Sequence, residues 1–102
     1  MFKVIILLKK KEEVSSEEFK NWWINSHSSK AAMLPKIRKL CFNLVENEGD
    51  KAYDGVAEQC FDTQEDFENA YASEIGKKWR LTQLAMYLKR DRLFVNEHNI
   101  VN

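Results

Sequence analysis

The apolar and polar residues of this chain change their spacing several times, which predicts strands and helices in alternation. Residues 2–9 are rich in β-branched residues and leucine, a composition typical of a strand. Residues 38–46 and 53–61 share this character, and the polar, glycine-containing segment between them predicts a hairpin turn. A last strand is predicted over residues 92–98.

Two segments carry the same signal for the start of a helix. Ser15 is predicted to cap the first helix, because Glu18 follows three residues later and an apolar stripe begins beside it. Pro35 is expected to end this helix. Residues 63–67 repeat the pattern of residues 15–19, so a second helix is predicted to begin there.

A further helix is expected to follow a break near residues 73–76 and to run to about residue 90. For this element order, right-handed crossovers and short connections favour a ferredoxin-like split βαβ sandwich. The fold class is therefore α+β, with a four-stranded antiparallel sheet and helices on one face. A length of 102 residues indicates a single domain over 1–102. The buried positions of the last helix are predicted to be Trp79, Leu84, Met86 and Leu88.

The first two strands are apolar on both faces, whereas an antiparallel strand with one face in water should alternate apolar with polar residues. The predicted helices can cover only one face of the sheet. We therefore expect a homodimer in which two sheets pack against each other. The alternative is that the aliphatic stems of Lys3, Lys9 and Lys39 shield this face.

Charge and cysteine content exclude several classes of protein. The 16 basic and 16 acidic residues balance, so no clustered basic surface for nucleic acid is predicted. The apolar run at residues 4–8 is too short to cross a membrane or to act as a signal peptide. Two cysteines without such a signal predict reduced thiols and a cytoplasmic location.

His27 is the strongest candidate for chemistry, because it lies on the apolar stripe of the first helix. Imidazole titrates near neutral pH, which suits it to proton transfer, although a hydrogen-bonded core histidine is the alternative. Trp23, on the same stripe, is predicted to form a pocket wall or to pack in the core. The role of His98, at the end of the last strand, is left open.

The hairpin register sorts the polar strand residues between the two faces. A turn centred near residues 50–51 places Cys41 opposite Cys60 and Asn43 opposite Glu58. Gln59 then faces the helices and shares a cleft with His27. Glu58 is expected between the two sheets, either partnered by Asn43 or Lys3 or acting as an acid or base.

Several motifs are spread along nearly the whole chain. They are Phe19, Trp23 and His27 at intervals of four, Leu34-Pro35, Tyr53-Asp54-Gly55-Val56-Ala57-Glu58, Phe61-Asp62, and Val95 with Glu97-His98. Together they resemble the EthD-like family of the dimeric α/β-barrel superfamily. The resemblance implies a ferredoxin-like protomer whose sheet pairs with a second copy. It also implies an oxidoreductase-like function or an accessory role, and relatives in the superfamily include isomerases, dehydratases, cofactor-free monooxygenases and haem enzymes.

Two hypotheses follow for the function. The first is a cofactor-independent acid/base enzyme, similar to isomerases, tautomerases or dehydratases, that acts on a small apolar carbonyl or lactone compound in catabolic or tailoring metabolism. The second is a non-catalytic ligand-binding or accessory dimer. No phosphate-binding loop, zinc motif or serine nucleophile motif is present, so no cofactor or metal is expected, and haem is the weakest option. The predicted site has His27 as the catalytic residue, with substrate-binding residues Trp23, Gln59, Leu40, Phe42 and Trp79.

Overall fold

The computed structural model describes residues 1–47, 49–83 and 86–101. The four strands form one antiparallel sheet in the order β2-β3-β1-β4. The two strands of each βαβ unit are separated in the sheet by one strand of the other unit, which is the ferredoxin-like arrangement. The strand order therefore confirms the ferredoxin-like prediction. The strands are β1 (Phe2–Lys10), β2 (Lys39–Leu44), β3 (Gly55–Phe61) and β4 (Tyr87–Val95).

Three helices lie on one face of the sheet. Helix α1 is α-helical over Ser16–Lys20, π-helical over Asn21–His27 and α-helical again over Ser28–Ala31. Helix α2 spans Gln64–Ala72 and α3 spans Glu74–Gln83. No helix among the described residues is long and apolar enough to span a lipid bilayer.

The helix starts are those that the sequence predicts. The Ser15 hydroxyl accepts a hydrogen bond from the Glu18 amide at 3.1 Å, and Thr63 accepts one from the Asp66 amide at the same distance. Each bond satisfies an amide that has no partner within its helix. The repeated segments therefore form equivalent caps in the two halves of the chain.

The face of the sheet that meets the helices holds the core. Val4, Ile6 and Leu8 of β1 are at most 3% exposed, and Ala57 and Phe61 of β3 lie beside them. Alternation along each strand makes these residues neighbours on a single face. Aromatic side chains from the helices close the core, namely Phe19, Trp23, Phe67, Tyr71 and Trp79.

The opposite face, called here the outer face, carries no helix of the described chain. Its apolar positions remain partly in water: Leu93 is 49% exposed and Val95 is 36% exposed. The side chains of the outer face are Lys3, Ile5, Leu7, Lys9, Lys39, Cys41, Asn43, Val56, Glu58, Cys60, Lys89, Asp91, Leu93 and Val95.

Two sequence predictions about the strands are wrong in detail. The described part of the last helix extends to Gln83, and β4 already spans Tyr87–Val95, so the predicted helix end near residue 90 and the predicted strand 92–98 lie too late. The reason is that the apolar residues of this segment fit both the helical and the strand spacing. Leu88 is 64% exposed rather than buried, Met86 packs partly against the core, and Leu84 lies outside the described residues.

The hairpin register is displaced by two residues from the predicted one. Cys41 pairs with Glu58 and Cys60 pairs with Lys39, so the two cysteines are not opposite each other. Asn43 pairs with Val56. A shift of two residues keeps every side chain on its predicted face, because the strand repeat is two.

Candidate functional site

His27 lies at the end of the π-helical segment and is 2% exposed. Its ring stacks between two indoles, with centroid distances of 4.7 Å to Trp22 and 4.9 Å to Trp79. A π turn links residue i to residue i+5, which brings Trp22 and His27 onto the same side of the helix. The sequence spacing placed Trp22 and Trp23 on the same stripe as His27, but it did not predict the stack between Trp22 and His27.

Burial and charge keep His27 neutral. Desolvation is the main cause that lowers the pKa of His27 to about 4, and the positive charges of Lys30 and Arg90 act in the same direction. The imidazole therefore carries no charge at neutral pH. Its Nδ1 atom is inaccessible to solvent and has no hydrogen-bond partner within the described residues. In the tautomer with its proton on Nε2, the Nδ1 atom has a free lone pair that can accept a hydrogen bond.

A small cavity of about 10 Å³ lies against His27. This volume is enough for about one water molecule. Five residues of the predicted site meet there, and Leu40 of that site pairs with Gln59 across the β2–β3 ladder instead of lining the cavity. The lining residues are Ile6, Leu8, Trp23, His27, Phe42, Ala57, Gln59 and Trp79.

Gln59 is fully buried and is held by Tyr71. The Tyr71 hydroxyl donates a hydrogen bond to Gln59 Oε1 at 2.8 Å, whereas Gln59 Nε2 has no partner in the described part of the chain. Burial raises the pKa of the Tyr71 hydroxyl, and nearby Arg90 partly opposes this effect. The orientation of the Gln59 amide is therefore fixed with its NH₂ group available. Sequence reasoning missed Tyr71, although it occupies the position in the second half that Trp23 occupies in the first.

Arg90 is a second residue that the sequence prediction missed. It lies on β4 opposite Leu8 of β1, so it projects from the face that meets the helices. Its Nε and Nη2 atoms are inaccessible to solvent and form no hydrogen bond with the described residues. The sequence analysis missed Arg90 because it placed this residue at the end of the last helix and not on a strand.

An apolar cleft of about 470 Å³ lies between the end of α1 and helix α3. Its volume is within the range of small-molecule sites. Trp79 forms part of the wall of both the cleft and the small cavity. The cleft is lined by Lys30, Met33, Ile75, Lys78, Trp79, Leu81 and Thr82.

Glu58 lies on the outer face, away from the His27 cavity. Its carboxylate is 2.8 Å from Lys3 Nζ and accepts a hydrogen bond from Asn43 Nδ2 at 3.4 Å. Lys3 also pairs with Glu97. Hydrogen bonding to Lys3 is the main cause that lowers the pKa of the Glu58 carboxyl. Both partners that the sequence suggested for Glu58 are therefore present.

The remaining candidate groups lie apart from the cavity. His98 is exposed and follows the end of β4. Cys41 and Cys60 are both free thiols on the outer face. Within the described ranges, no group of three or more histidine, cysteine, aspartate or glutamate side chains is arranged to hold a metal ion.

Several proteins of solved structure share this fold. An ethyl tert-butyl ether degradation (EthD) family protein from Bacillus halodurans has a TM-score of 0.80 and 17% identity, covering 96% of this chain and 100% of that chain. A dimeric protein of ferredoxin-like fold from Bacteroides fragilis has a TM-score of 0.74 and 20% identity, with coverages of 94% and 95%. SnoaB from Streptomyces nogalater, a cofactor-independent oxygenase, has a TM-score of 0.71 and 13% identity, with coverages of 98% and 95%.

The sequence was also compared with proteins of curated function and with family models. No curated protein matches it. The model of the EthD domain matches residues 11–81, which include the helix that carries His27, the β2–β3 hairpin and most of α3. This match extends over more than half of the chain and agrees with the resemblance in the motifs. The chain therefore belongs to the EthD domain family.

Proposed function

We propose that this protein is a cofactor-independent acid/base enzyme in which His27 moves a proton on a small apolar carbonyl or lactone compound. The observation that carries the proposal is a neutral, buried imidazole whose Nδ1 atom has no partner among the described residues and which borders a cavity. A structural core histidine would have its ring nitrogens hydrogen-bonded to its surroundings. The surrounding residues here leave Nδ1 available.

The chemistry needs no electron donor or acceptor. In the tautomer with its proton on Nε2, the Nδ1 lone pair takes a proton from the carbon next to the carbonyl group. The C–H bonding electrons move into the carbon–carbon bond, and the carbonyl electron pair moves to oxygen to form an enolate. Gln59 Nε2 donates a hydrogen bond to that oxygen. Return of the proton from His27 to the same or another carbon completes an exchange or an isomerisation.

Binding of such a compound requires more space than the small cavity provides. Trp79 lines both this cavity and the apolar cleft, so we propose that a rotation of its side chain opens a path between the two volumes. The substrate then places its apolar body in the cleft and its carbonyl group beside His27. In SnoaB a similar fold carries a cofactor-independent oxygenase, which supports chemistry without a cofactor on this scaffold.

The test is exchange of carbon-bound hydrogen in D₂O, followed by proton NMR with phenylacetone and α-angelica lactone as probes. The protein is expected to accelerate the exchange, and His27→Ala is expected to slow it about 100-fold or more. His98→Ala is the matched control, because it removes the other histidine from an exposed position. Exchange that is equally fast in His27→Ala would remove His27 from the mechanism.

The small volume beside His27 favours a second candidate, a dimer that binds a ligand without catalysis. In this case the apolar cleft is the binding site and Trp79 stays in place. The same probes then quench tryptophan fluorescence on binding, whereas their hydrogens exchange no faster than in buffer. This combination of results would favour the second candidate over the enzyme.

We also infer that the protein is a homodimer in which two outer faces pack together. The supporting observation is the partly exposed apolar surface that includes Leu93 and Val95. The structural neighbour from Bacteroides fragilis is described as dimeric, and it has the same fold. Light scattering after size exclusion tests the inference, because a dimer has twice the protomer mass of 12.1 kDa. A mass near 12.1 kDa at micromolar concentration would contradict it.

A cytoplasmic location is the last part of the proposal. Cys41 and Cys60 are free thiols, and this state persists in a reducing compartment. Fractionation of cells that express the full chain, with immunodetection, tests the location.

A further inference from the structure

Hydrogen-bond donors without acceptors surround the His27 site. Gln59 Nε2, Trp79 Nε1 and two guanidinium nitrogens of Arg90 are inaccessible to solvent and have no partner within the described residues. Gln59 is fully buried, and Trp79 is 3% exposed. Indole and guanidinium nitrogens can only donate, and so does an amide NH₂. Apart from the Tyr71 hydroxyl oxygen, which interacts with the Arg90 guanidinium, these donors have no acceptor among the described residues, and a ligand oxygen would supply one.

The charges near this site have one sign. Arg90 and Lys30 both lower the pKa of His27 through their positive charge, after the larger effect of burial. Arg92 adds a further guanidinium, centred 5.9 Å from the ring of Tyr71. The ion pairs found among the described residues do not include Arg90 or Lys30. A partly buried cation without a counterion is unfavourable, and a bound anion removes this cost.

Tyr71 connects the members of the group. It donates its hydroxyl proton to Gln59 Oε1, packs its ring edge-on against Trp79 at 5.5 Å, and lies close enough to Arg90 for the guanidinium to affect its pKa. Gln59 and Trp79 also border the cavity beside His27. The unpaired donors thus belong to one region on the helix side of the sheet.

We propose that Arg90, Trp79 and one N–H of Gln59 form a carboxylate-binding subsite beside His27, and that the natural ligand is a monocarboxylic acid with an apolar body that also carries the ketone or lactone carbonyl on which His27 acts. The proposal rests on the function proposed above and specifies the substrate class of the same site. Arg90 supplies charge-assisted hydrogen bonds to the carboxylate, which are stronger than bonds between neutral groups.

The apolar cleft fits the body of such a ligand. Its exposed apolar side chains are Met33, Ile75 and Leu81, and two lysines, Lys30 and Lys78, stand among them. Positive charge around an apolar cleft attracts an amphipathic anion and repels a cation. The ligand's negative charge would also offset the effect of Arg90 and Lys30 on His27, so that the imidazole becomes a stronger base when the site is filled.

The test compares acids with their uncharged amides of nearly the same shape. Phenylacetate, 4-phenylbutyrate and 2-naphthoate are each paired with the corresponding amide, and binding to the full chain is measured by calorimetry at low salt. The unmodified protein is expected to bind at least one acid about tenfold more tightly than its amide. Arg90→Met is expected to abolish this preference, and Arg90→Lys is expected to retain part of it. Arg38→Met is the control, because that arginine pairs with Asp62 on the surface.

Equal binding of acid and amide in all three pairs, or no binding of any acid, would overturn the proposal. Arg90→Met could fail to fold, so a measurement on the unmodified protein accompanies it. In that measurement, NMR titration of the His27 ring with and without the best acid is expected to show a higher pKa in the complex. An unchanged pKa would count against a carboxylate beside His27.

This result can be separated from the outcome for the proposed function. His27→Ala is expected to lose hydrogen exchange and yet to keep the preference for acid over amide. Preference without exchange in the unmodified protein would refute the enzyme and support the subsite. Hydrogen exchange without a preference for acid over amide would support the enzyme and refute the carboxylate subsite.

Discussion

The polar side chains on the two faces of the sheet differ in whether they have partners within the chain. On the outer face Glu58 is bound by Lys3 and Asn43, so its charge is matched within the chain. On the helix face Gln59, the next residue of β3, keeps its amide NH₂ without an acceptor among the described residues. Two adjacent residues of β3 therefore differ: the carboxylate of Glu58 has an ion-pair partner and a hydrogen-bond partner, whereas the amide NH₂ of Gln59 has no acceptor among the described residues. The comparison teaches that the chain itself satisfies the polar groups of the outer face, whereas it leaves hydrogen-bonding capacity unused on the helix face.

The largest expected change comes from placing a charge in the middle of the outer face. Leu7→Glu puts a carboxylate at a position that pairs with Val56 and Asp91 on the neighbouring strands. We expect it to weaken dimerisation about 100-fold or more, because the interface would bury an unpaired charge. Sedimentation velocity measures the dissociation constant. Ala72→Glu, exposed at the end of α2, is the control and should remain dimeric. A dimer of unchanged affinity in Leu7→Glu would place the interface elsewhere.

The next effect concerns the pH dependence of stability on the helix face. The folded protein holds the pKa of His27 at about 4, compared with 6.5 for an ordinary histidine, so the unfolded chain binds more protons between these values. Stability therefore falls as the pH is lowered from about 6.5 to about 4, by up to about 3 kcal/mol from this residue.

His27→Phe keeps an aromatic ring between Trp22 and Trp79 and removes the titration. Urea unfolding at a series of pH values is expected to show a flatter profile for this variant between pH 4 and 6.5. His98→Ala is expected to keep the profile of the unmodified protein, because that side chain is exposed. An identical slope in His27→Phe would mean that His27 titrates normally.

A smaller loss of stability is expected when a side chain is added at Gly55, which lies against the Trp23 ring. A methyl group added at Gly55 would lie 2.6 Å from two carbons of the Trp23 ring, a distance that forces the indole to move. Gly55→Ala is expected to lower the free energy of unfolding by about 1–3 kcal/mol. The penalty should shrink in a Trp23→Phe background, whose smaller ring lacks the contacting atoms. A penalty of equal size in both backgrounds would locate the strain in the backbone.

The smallest effect is expected from the ion network of the outer face. Lys3→Met removes the group that lowers the pKa of Glu58, and we expect a loss of at most about 1 kcal/mol, since the network is partly in water. A carboxyl with a lowered pKa stabilises the fold above its ordinary pKa, and this contribution disappears as the pH falls through the folded value. Unfolding measured at pH 7 and pH 3 should therefore differ less in Lys3→Met than in the unmodified protein. Lys77→Met, exposed on α3, is the control.

The sequence predicted the fold well because its signals are local and repeated. The caps at Ser15 and Thr63 form as expected, and both begin helices with a buried phenylalanine in the first turn or two. The face of Gln59 was predicted although the register was not, because the error of two residues equals the strand repeat. Turn geometry between β2 and β3 sets the register, and the residue types in the turn do not determine it.

The candidate site was predicted only in part, for two physical reasons. A π-helical segment depends on how the helix packs, and no residue type in Asn21–His27 signals it, so the stack of His27 on Trp22 was not foreseen. Arg90 was assigned to the end of a helix because the spacing of the apolar residues before it fits both a helix and a strand. Its place on the core face depends on pairing with β1, which is a contact between distant parts of the chain.

The π-helical segment makes the position of His27 depend on chain length as well as on residue type. A π turn accommodates one residue more than an α turn between the same flanking segments. Deletion of a single residue such as Asn25 would let Asn21–His27 relax to a regular α-helix, while the flanking α-helical segments keep their orientation relative to each other. A one-residue deletion in the α-helical part of the same helix would instead rotate the side chains before it by about 100° relative to those after it. The π turn is therefore the place where this helix can change its length without turning the imidazole out of the core.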